Sequence, residues 1–263
     1  MAERRGRFPS RRRSLASPPR SPRLRKAIAR VRKLRPAKIR NALRRRWFEH
    51  RIGRVRLHDG PGLIHLGHAS YGGWTVPGDL IGREWVCYSV GAGGDIEFDL
   101  ELIRRYDATV RSFDAVAEYV DQAHGLGAGE PRFSAHHAAI ATSDGPLRMQ
   151  RTHDSGSRSV SSAGLYESHS FVELPGRTLP SLMAELGDER IDLLKLDIEG
   201  GEYEVVPTLD LPALGVQIFA MQLHHTGSVP EGRALIELIR RQGYEPVACR
   251  APAKLTFALR GLL

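Results

Sequence analysis

Polar and charged residues follow two apolar segments in the second half of the chain. Residues 191–197 end in Asp197, and residues 216–223 are followed by two histidines. A carboxylate beside an imidazole can act as a general base pair, and the same groups are ordinary metal ligands. No HxxxH or CxxC spacing supports a metal, so none is predicted. We predict catalytic roles for Asp197 and His224, and substrate-binding roles for Glu199, Glu202 and His225.

A glycine-rich segment follows an earlier apolar segment. Residues 84–90 lead into Gly91-Ala-Gly93-Gly94-Asp95, and Asp114 lies 23 residues after Gly91. Glycines there let the backbone approach a ligand, and an acid at that distance can accept both hydroxyls of a ribose. The pattern fits a dinucleotide or S-adenosylmethionine. Ile96 stands where the dinucleotide fingerprint requires glycine, and Asp95 would face a pyrophosphate, so S-adenosylmethionine is favoured. Gly91, Gly93, Asp95 and Asp114 are the predicted cofactor-binding residues.

The elements that must position these residues alternate between strand and helix patterns. Such alternation predicts βαβ units and a parallel sheet whose ligands lie beyond the carboxyl ends of the strands. The last connection, near residue 250, is too short for a crossover, so the final strand is expected to be antiparallel. The predicted strands are residues 84–90, 109–114, 133–141, 191–197, 216–223, 244–249 and 255–259. This predicts an α/β fold with a Rossmann-like seven-stranded sheet. Residues 152–170 are predicted to form a long loop.

Charge divides the chain into two regions. Residues 1–56 contain 22 Lys and Arg and two acids, a net charge of +20, whereas residues 57–263 carry 17 bases and 28 acids, a net charge of −11. We therefore predict a basic, partly helical N-terminal extension over 1–56, dispensable for folding, and one domain over 57–263. Besides a solvated arm, such an extension fits an anionic membrane surface or nucleic acid.

Several classes of protein are excluded by composition. The chain has no apolar run of about 18 residues, as a membrane-spanning helix requires. Its two cysteines, Cys87 and Cys249, cannot form a disulfide scaffold or a four-cysteine zinc site. The N-terminus lacks the apolar region of a secretory signal, so a cytoplasmic location is expected, with possible peripheral contact to a membrane.

Four segments together resemble one family, the FkbM-like S-adenosylmethionine-dependent methyltransferases of class I. They are Tyr71-Gly-Gly-Trp74, the block from Tyr88 to Asp99, Phe113-Asp114, and Lys195-Leu-Asp-Ile-Glu-Gly-Gly-Glu202. The resemblance covers about residues 60–260, and the Lys-x-Asp-x-Glu-Gly-x-Glu element is its most specific part.

The resemblance implies bound S-adenosylmethionine and O-methylation of a hydroxyl on a small molecule, such as a sugar or secondary metabolite. Tyr71 is then expected to close over the cofactor. Two positions depart from the family's usual pattern, because Glu97 replaces a frequent serine and Gln222 replaces a frequent glutamate. A non-catalytic Rossmann-like module with a basic arm is the alternative from another class.

Overall fold

A seven-stranded mixed sheet forms the centre of the molecule. The computed structural model describes residues 36–69, 71–151, 160–161, 170–250 and 253–263. The strands are β1 (Leu63–Leu66), β2 (Trp74–Pro77), β3 (Val86–Val90), β4 (Thr109–Asp114), β5 (Phe133–His137), β6 (Ala139–Ile140), β7 (Gly145–Arg151), β8 (Val160–Ser161), β9 (Phe171–Arg177), β10 (Leu193–Leu196), β11 (Ile218–Gln222), β12 (Tyr244–Arg250) and β13 (Lys254–Leu259). The central sheet has the order β12-β13-β11-β10-β3-β4-β5. β13 runs antiparallel to both of its neighbours, β11 and β12, and the other six described strands of this sheet run parallel to one another. The predicted sheet and its antiparallel last strand are confirmed.

Six helices lie in the described residues. They are α1 (Pro36–Ile52), α2 (Glu97–Tyr106), α3 (Ala117–Leu126), α4 (Leu179–Leu186), α5 (Glu202–Val205) and α6 (Val229–Arg241), with short 3-10 turns at Val206–Thr208 and Arg260–Leu262. Thr178 caps α4 by accepting a hydrogen bond from the Ser181 amide. Ser228 and Glu231 form a capping box at the start of α6, which fixes the residue at which this helix begins after β11.

Two smaller sheets were not predicted. β1 and β2 form a hairpin, and β6, β9, β7 and β8 form a four-stranded sheet. The predicted third strand, residues 133–141, is in fact divided between the central sheet (β5) and the small one (β6). β7 and β9 are partly exposed, so they lack the continuous apolar run of a buried strand. Most of the predicted loop at 152–170 lies outside the described residues.

Helix α1 contributes side chains to the core. Contacts divide the chain into units 1–43 and 44–263. Phe48 and Ile52 are 2% and 1% exposed and belong to the largest apolar cluster of the second unit. A Cβ on Gly232 of α6 would lie 2.9 Å from the Cδ1 of Ile52, so the two helices pack closely. The dispensability of residues 1–56 for the fold stays a prediction, and the burial of these two side chains counts against it.

The rest of the predicted basic extension cannot be placed. Residues 1–35, with most of its charge and its proposed membrane or nucleic-acid contacts, lie outside the described residues. In the part of the chain that the structure covers, no helix has both the length and the hydropathy needed to cross a bilayer.

Candidate active site

The turn after β3 is built around a glycine that no other residue can replace without rearrangement. Gly91 has a φ of +74°, and a Cβ there would lie 1.9 Å from the carbonyl oxygen of Asp197. Its amide donates to the carbonyl of Phe113 in β4. The ends of β3, β4 and β10 therefore meet at this one residue. Any side chain would push the loop after β10 away from the turn.

Asp114 braces the same turn from the end of β4. One carboxylate oxygen accepts a hydrogen bond from the Gly93 amide at 3.0 Å, and the other accepts from the Val116 amide at 2.8 Å. Burial raises the pKa of Asp114, and these two amides oppose that rise. Each carboxylate oxygen keeps a further acceptor position. The group can therefore accept two more hydrogen bonds from a ligand lying over the turn.

Lys195 ties β10 to the glycine turn. Its side chain is buried, and its Nζ donates to the carbonyl of Gly91 at 2.7 Å. Behind it lies buried Asp99, whose pKa burial raises to about 6, while Lys195, Ser89 and Ser112 stabilise its ionised form. An ion pair with Asp197, two residues further along the chain, would be the simplest structural role for Lys195. The structure instead directs Lys195 toward the turn, which leaves the Asp197 side chain at the cavity.

The loop after β10 is shaped by a carboxylate that solvent does not reach. Glu202 is 0% exposed. Its two oxygens accept hydrogen bonds from the Ile198 and Gly200 amides, both at 3.0 Å. Glu199 adopts a φ of +53°, a left-handed conformation that is unfavourable for a residue with a side chain. The hydrogen bonds of Glu202 hold the loop in this shape. Buried as it is, Glu202 is better placed to position the loop than to contact a substrate.

His224 lies among three carboxylates behind this loop. Its Nδ1 is 3.0 Å from Oε1 of Glu202. Its Nε2 is 3.4 Å from Glu199 and 3.7 Å from Asp197. Burial lowers the pKa of His224, but Glu202 above all, then Asp197 and Glu199, raise it to about 9. At neutral pH the ring is therefore an imidazolium, which donates from both nitrogens and has no free lone pair.

This cluster also has the composition of a metal site. One ligand atom each from Asp197, Glu202 and His224 lie within 4.8 Å of one another. A cation bound there would need a neutral imidazole and free carboxylate positions. The Glu202 oxygens already accept two amides, and the imidazolium itself supplies positive charge to the carboxylates. The residues fit a protonated histidine better than a histidine that ligates a metal.

A cavity of about 290 Å³ opens over the carboxyl ends of the strands. Its size is near the lower end for small-ligand sites, about 300–1,000 Å³. It brings together six of the residues predicted from sequence: Tyr71, Gly91, Gly93, Asp114, Asp197 and Glu199. The other four predicted residues, Asp95, Glu202, His224 and His225, are absent from its described lining.

Asp95 faces a different part of the molecule from the cavity. Its carboxylate lies 3.1 Å from Nδ1 of His68, and a Cβ on Gly72 would lie 2.4 Å from its Oδ2. It also accepts a hydrogen bond from the Glu97 amide at the start of α2. These contacts fasten the loop before Trp74 to the glycine turn. Asp95 thus supports the segment that carries Tyr71.

The lining also contains polar residues that were not among the sequence candidates, including Tyr119, Gln222 and Lys254. The Gln222 side-chain amide lies 3.0 Å from the Nε2 of His224, and a ring protonated at both nitrogens requires the amide oxygen as the acceptor there. Gln222 thus connects the cavity to the carboxylate cluster. The signal for Gln222 was its place at the end of β11, two residues before His224. Lys254 begins a strand that approaches the cavity from the antiparallel direction, where the rule for parallel strands does not apply.

The comparison with known families agrees with this geometry. A model described as the methyltransferase FkbM domain matches residues 88–246, which is more than half of the chain. The chain belongs to the FkbM methyltransferase family. The match spans the glycine turn, Asp114 and the whole Lys-x-Asp-x-Glu-Gly-x-Glu element, so the resemblance drawn from sequence is confirmed.

One relative of this FkbM-family chain is a much larger protein. A segment of 83 residues is 41% identical to the AMB antimetabolite synthetase AmbE of Pseudomonas aeruginosa. The segment covers 30% of this chain and 4% of AmbE. The match therefore shows a shared segment and leaves the acceptor of the methyltransferase open.

The contacts give each polar position of the family's element a structural task in this chain. Lys195 holds the carbonyl of the glycine turn, and Asp197 lines the cavity. Glu199 lines it too, from a left-handed backbone position, and Glu202 holds the loop amides. Each residue of the element thus occupies a different place around the turn, the loop or the cavity.

Proposed function

We propose that this protein transfers the methyl group of S-adenosylmethionine to a hydroxyl of a small acceptor, such as a sugar or secondary metabolite. The observation that carries the proposal is the single cavity that the glycine turn, Asp114, Asp197 and Glu199 line together. Asp114, which can accept hydrogen bonds from a ribose, thus lines the same cavity as Asp197 and Glu199, which can bind the hydroxyl that receives the methyl group.

The residues of the turn suit S-adenosylmethionine. Asp114 retains acceptor capacity for the two ribose hydroxyls after bonding Gly93 and Val116. Carboxylates near the turn suit the positively charged sulfonium and amino groups and would repel a pyrophosphate. When bound, S-adenosylmethionine supplies an electrophilic methyl group on a good leaving group. The protein's own task is then mainly to position the acceptor oxygen.

A hydroxyl nucleophile must lose its proton as it attacks. His224 was predicted as the base, but its pKa of about 9 makes it a proton donor at neutral pH. Asp197 and Glu199 line the cavity, and each lies within 4 Å of the imidazolium. We therefore assign proton acceptance to Asp197 or Glu199, and we assign His224 the positioning of both carboxylates. Glu202 fixes the imidazolium in turn.

Calorimetry on the full chain with S-adenosylmethionine tests cofactor binding. Methyl transfer from labelled cofactor to a panel of hydroxylated metabolites then tests the reaction. Asp197→Asn should lower turnover by about 10²–10⁴-fold, the usual contribution of a general base. Cofactor affinity should be kept. Asp121→Asn, an exposed carboxylate on α3, is the matched control.

Absence of cofactor binding by the unaltered protein would refute the proposal. Label recovered on nitrogen or carbon instead of oxygen would refute its hydroxyl specificity. Turnover in Asp197→Asn equal to that of the control would remove Asp197 as the base and leave Glu199 as the remaining carboxylate to test.

A further inference from the structure

A second cavity, of about 390 Å³, lies beside the first. Its described lining includes His65, His68, Trp74, Arg250 and Lys254. It lies between the β1–β2 hairpin and the β12–β13 hairpin, and the glycine turn, Asp114 and the loop after β10 are absent from its described lining. That lining contains an arginine, a lysine and no carboxylate.

The two cavities share a wall. Tyr71 and Lys254 line both of them. Tyr71 is 64% exposed, and a Cβ on Gly93 would lie 2.8 Å from its Oη. A molecule held in the second cavity can therefore extend past this tyrosine toward Asp197 and Glu199.

Lys254 is held in place at this wall. Its Nζ donates to the carbonyl of Gly73 at 3.1 Å and lies 4.5 Å from the centre of the Trp74 ring. Half-buried as it is, an ammonium group with one backbone partner keeps two donors for a ligand. Arg250 lies opposite Lys254 in the register of β12 and β13. The exposed guanidinium of Arg250 can bind a carboxylate or phosphate through two hydrogen bonds.

The charges that line the two cavities differ. The first is lined by the carboxylates of Asp114, Asp197 and Glu199 together with Lys195 and Lys254, whereas the described lining of the second holds Arg250 and Lys254 and no carboxylate. These two cations favour an acceptor that carries a carboxylate or phosphate over a neutral one, because hydrogen bonds between charged partners are stronger. We propose that the second cavity binds an anionic group of the methyl acceptor, so that the substrate is a hydroxylated molecule carrying a carboxylate or phosphate. This inference rests on the proposed methyltransferase function.

Three sugars with the same arrangement of ring hydroxyls test the proposal. Glucose 6-phosphate carries a phosphate, glucuronate carries a carboxylate, and glucose is uncharged. Their affinities are measured by calorimetry, at fixed ionic strength, on the full chain saturated with S-adenosylhomocysteine so that no turnover occurs. We expect at least one charged sugar to bind about tenfold or more tightly than glucose, the effect of one charge-assisted hydrogen bond.

Arg250→Gln should abolish this preference. Arg241→Gln, an exposed arginine at the end of α6, should keep it. Lys254→Gln is a second variant, in case loss of Arg250 alone is compensated by its neighbour. A preference for phosphate over carboxylate, or the reverse, would identify the anionic group.

The proposal is overturned if the three sugars bind alike, including the case in which none binds. It is also overturned if the preference survives in the double variant Arg250→Gln/Lys254→Gln. Binding of S-adenosylhomocysteine is recorded first in the same samples. Its absence would count against the proposed methyltransferase function, whereas its presence without a charge preference would count against the second cavity alone.

Discussion

The protonation of His224 makes a quantitative prediction about stability. A pKa of about 9 in the folded protein, against about 6.5 in an unfolded chain, corresponds to about 3 kcal/mol of stabilisation at about 1.36 kcal/mol per pH unit. Because the folded pKa is the higher one, this stabilisation is fully present below pH 6.5 and is lost as the pH rises through 9. The side chain is 9% exposed, so solvent screens the interaction little.

Urea unfolding at intervals from pH 6 to pH 10 measures this effect. At each pH, the free energy of unfolding of His224→Asn is subtracted from that of the wild type. This difference should be about 3 kcal/mol larger at pH 6 than at pH 10. Titrating groups that do not interact with His224 cancel in that difference. His137→Asn, which alters an exposed histidine, should show no such trend relative to wild type.

NMR titration of the His224 ring gives an independent measurement. Glu202→Gln should move its pKa downward, since Glu202 is the largest of the influences that raise it. A stability difference that stays constant from pH 6 to pH 10 would refute the reasoning. So would a ring that titrates near 6.5, and His224 would then return as a candidate base.

Three further predictions concern the turn, the cofactor and α1. Gly91→Ala should lower the free energy of unfolding by about 2–4 kcal/mol, since its Cβ would overlap a backbone carbonyl at positive φ; Gly125→Ala, with open space around the Cβ, should not, and equal losses in urea titrations would contradict this. Asp114→Asn should weaken S-adenosylmethionine binding by about 5–150-fold, because a ligand hydroxyl or a turn amide loses its acceptor; unchanged calorimetric affinity would exclude this role. Phe48→Ala should lower the free energy of unfolding by about 3–5 kcal/mol. A chain beginning at residue 57 should melt at a much lower temperature than one beginning at residue 44. Equal melting temperatures would place α1 outside the core.

The central strands β10 and β11 were predictable because they are buried on both faces. Residues 191–196 and 216–221 are mostly apolar, with Asp192, Lys195 and Gln217 as the polar exceptions, and such runs carry their own signal. The strands of the small sheet alternate between exposed and buried positions and contain Gly and Pro, as in β7 and β9. Nothing in their local sequence distinguishes them from a polar loop.

The ends of the parallel strands were predictable as a site, but the roles within the site were not. Topology places Asp114, Asp197 and His224 at one edge of the sheet, and sequence reasoning found all three. It could not tell that Glu202 is buried and bonds to His224, which reverses the proton logic of the histidine. Such roles depend on distances of a few ångströms between residues far apart in the chain.

The contact between Gly91 and the carbonyl of Asp197 has a consequence for protein engineering. The two residues are 106 positions apart in sequence, yet their backbones touch, and the Nζ of Lys195 is bonded to the Gly91 carbonyl. Exchanging the loop after β10 for that of another methyltransferase, to change which acceptor is bound, would alter only one side of this backbone contact. A successful exchange must transfer the loop and the glycine turn together, with Lys195, so that the two segments still pack against each other.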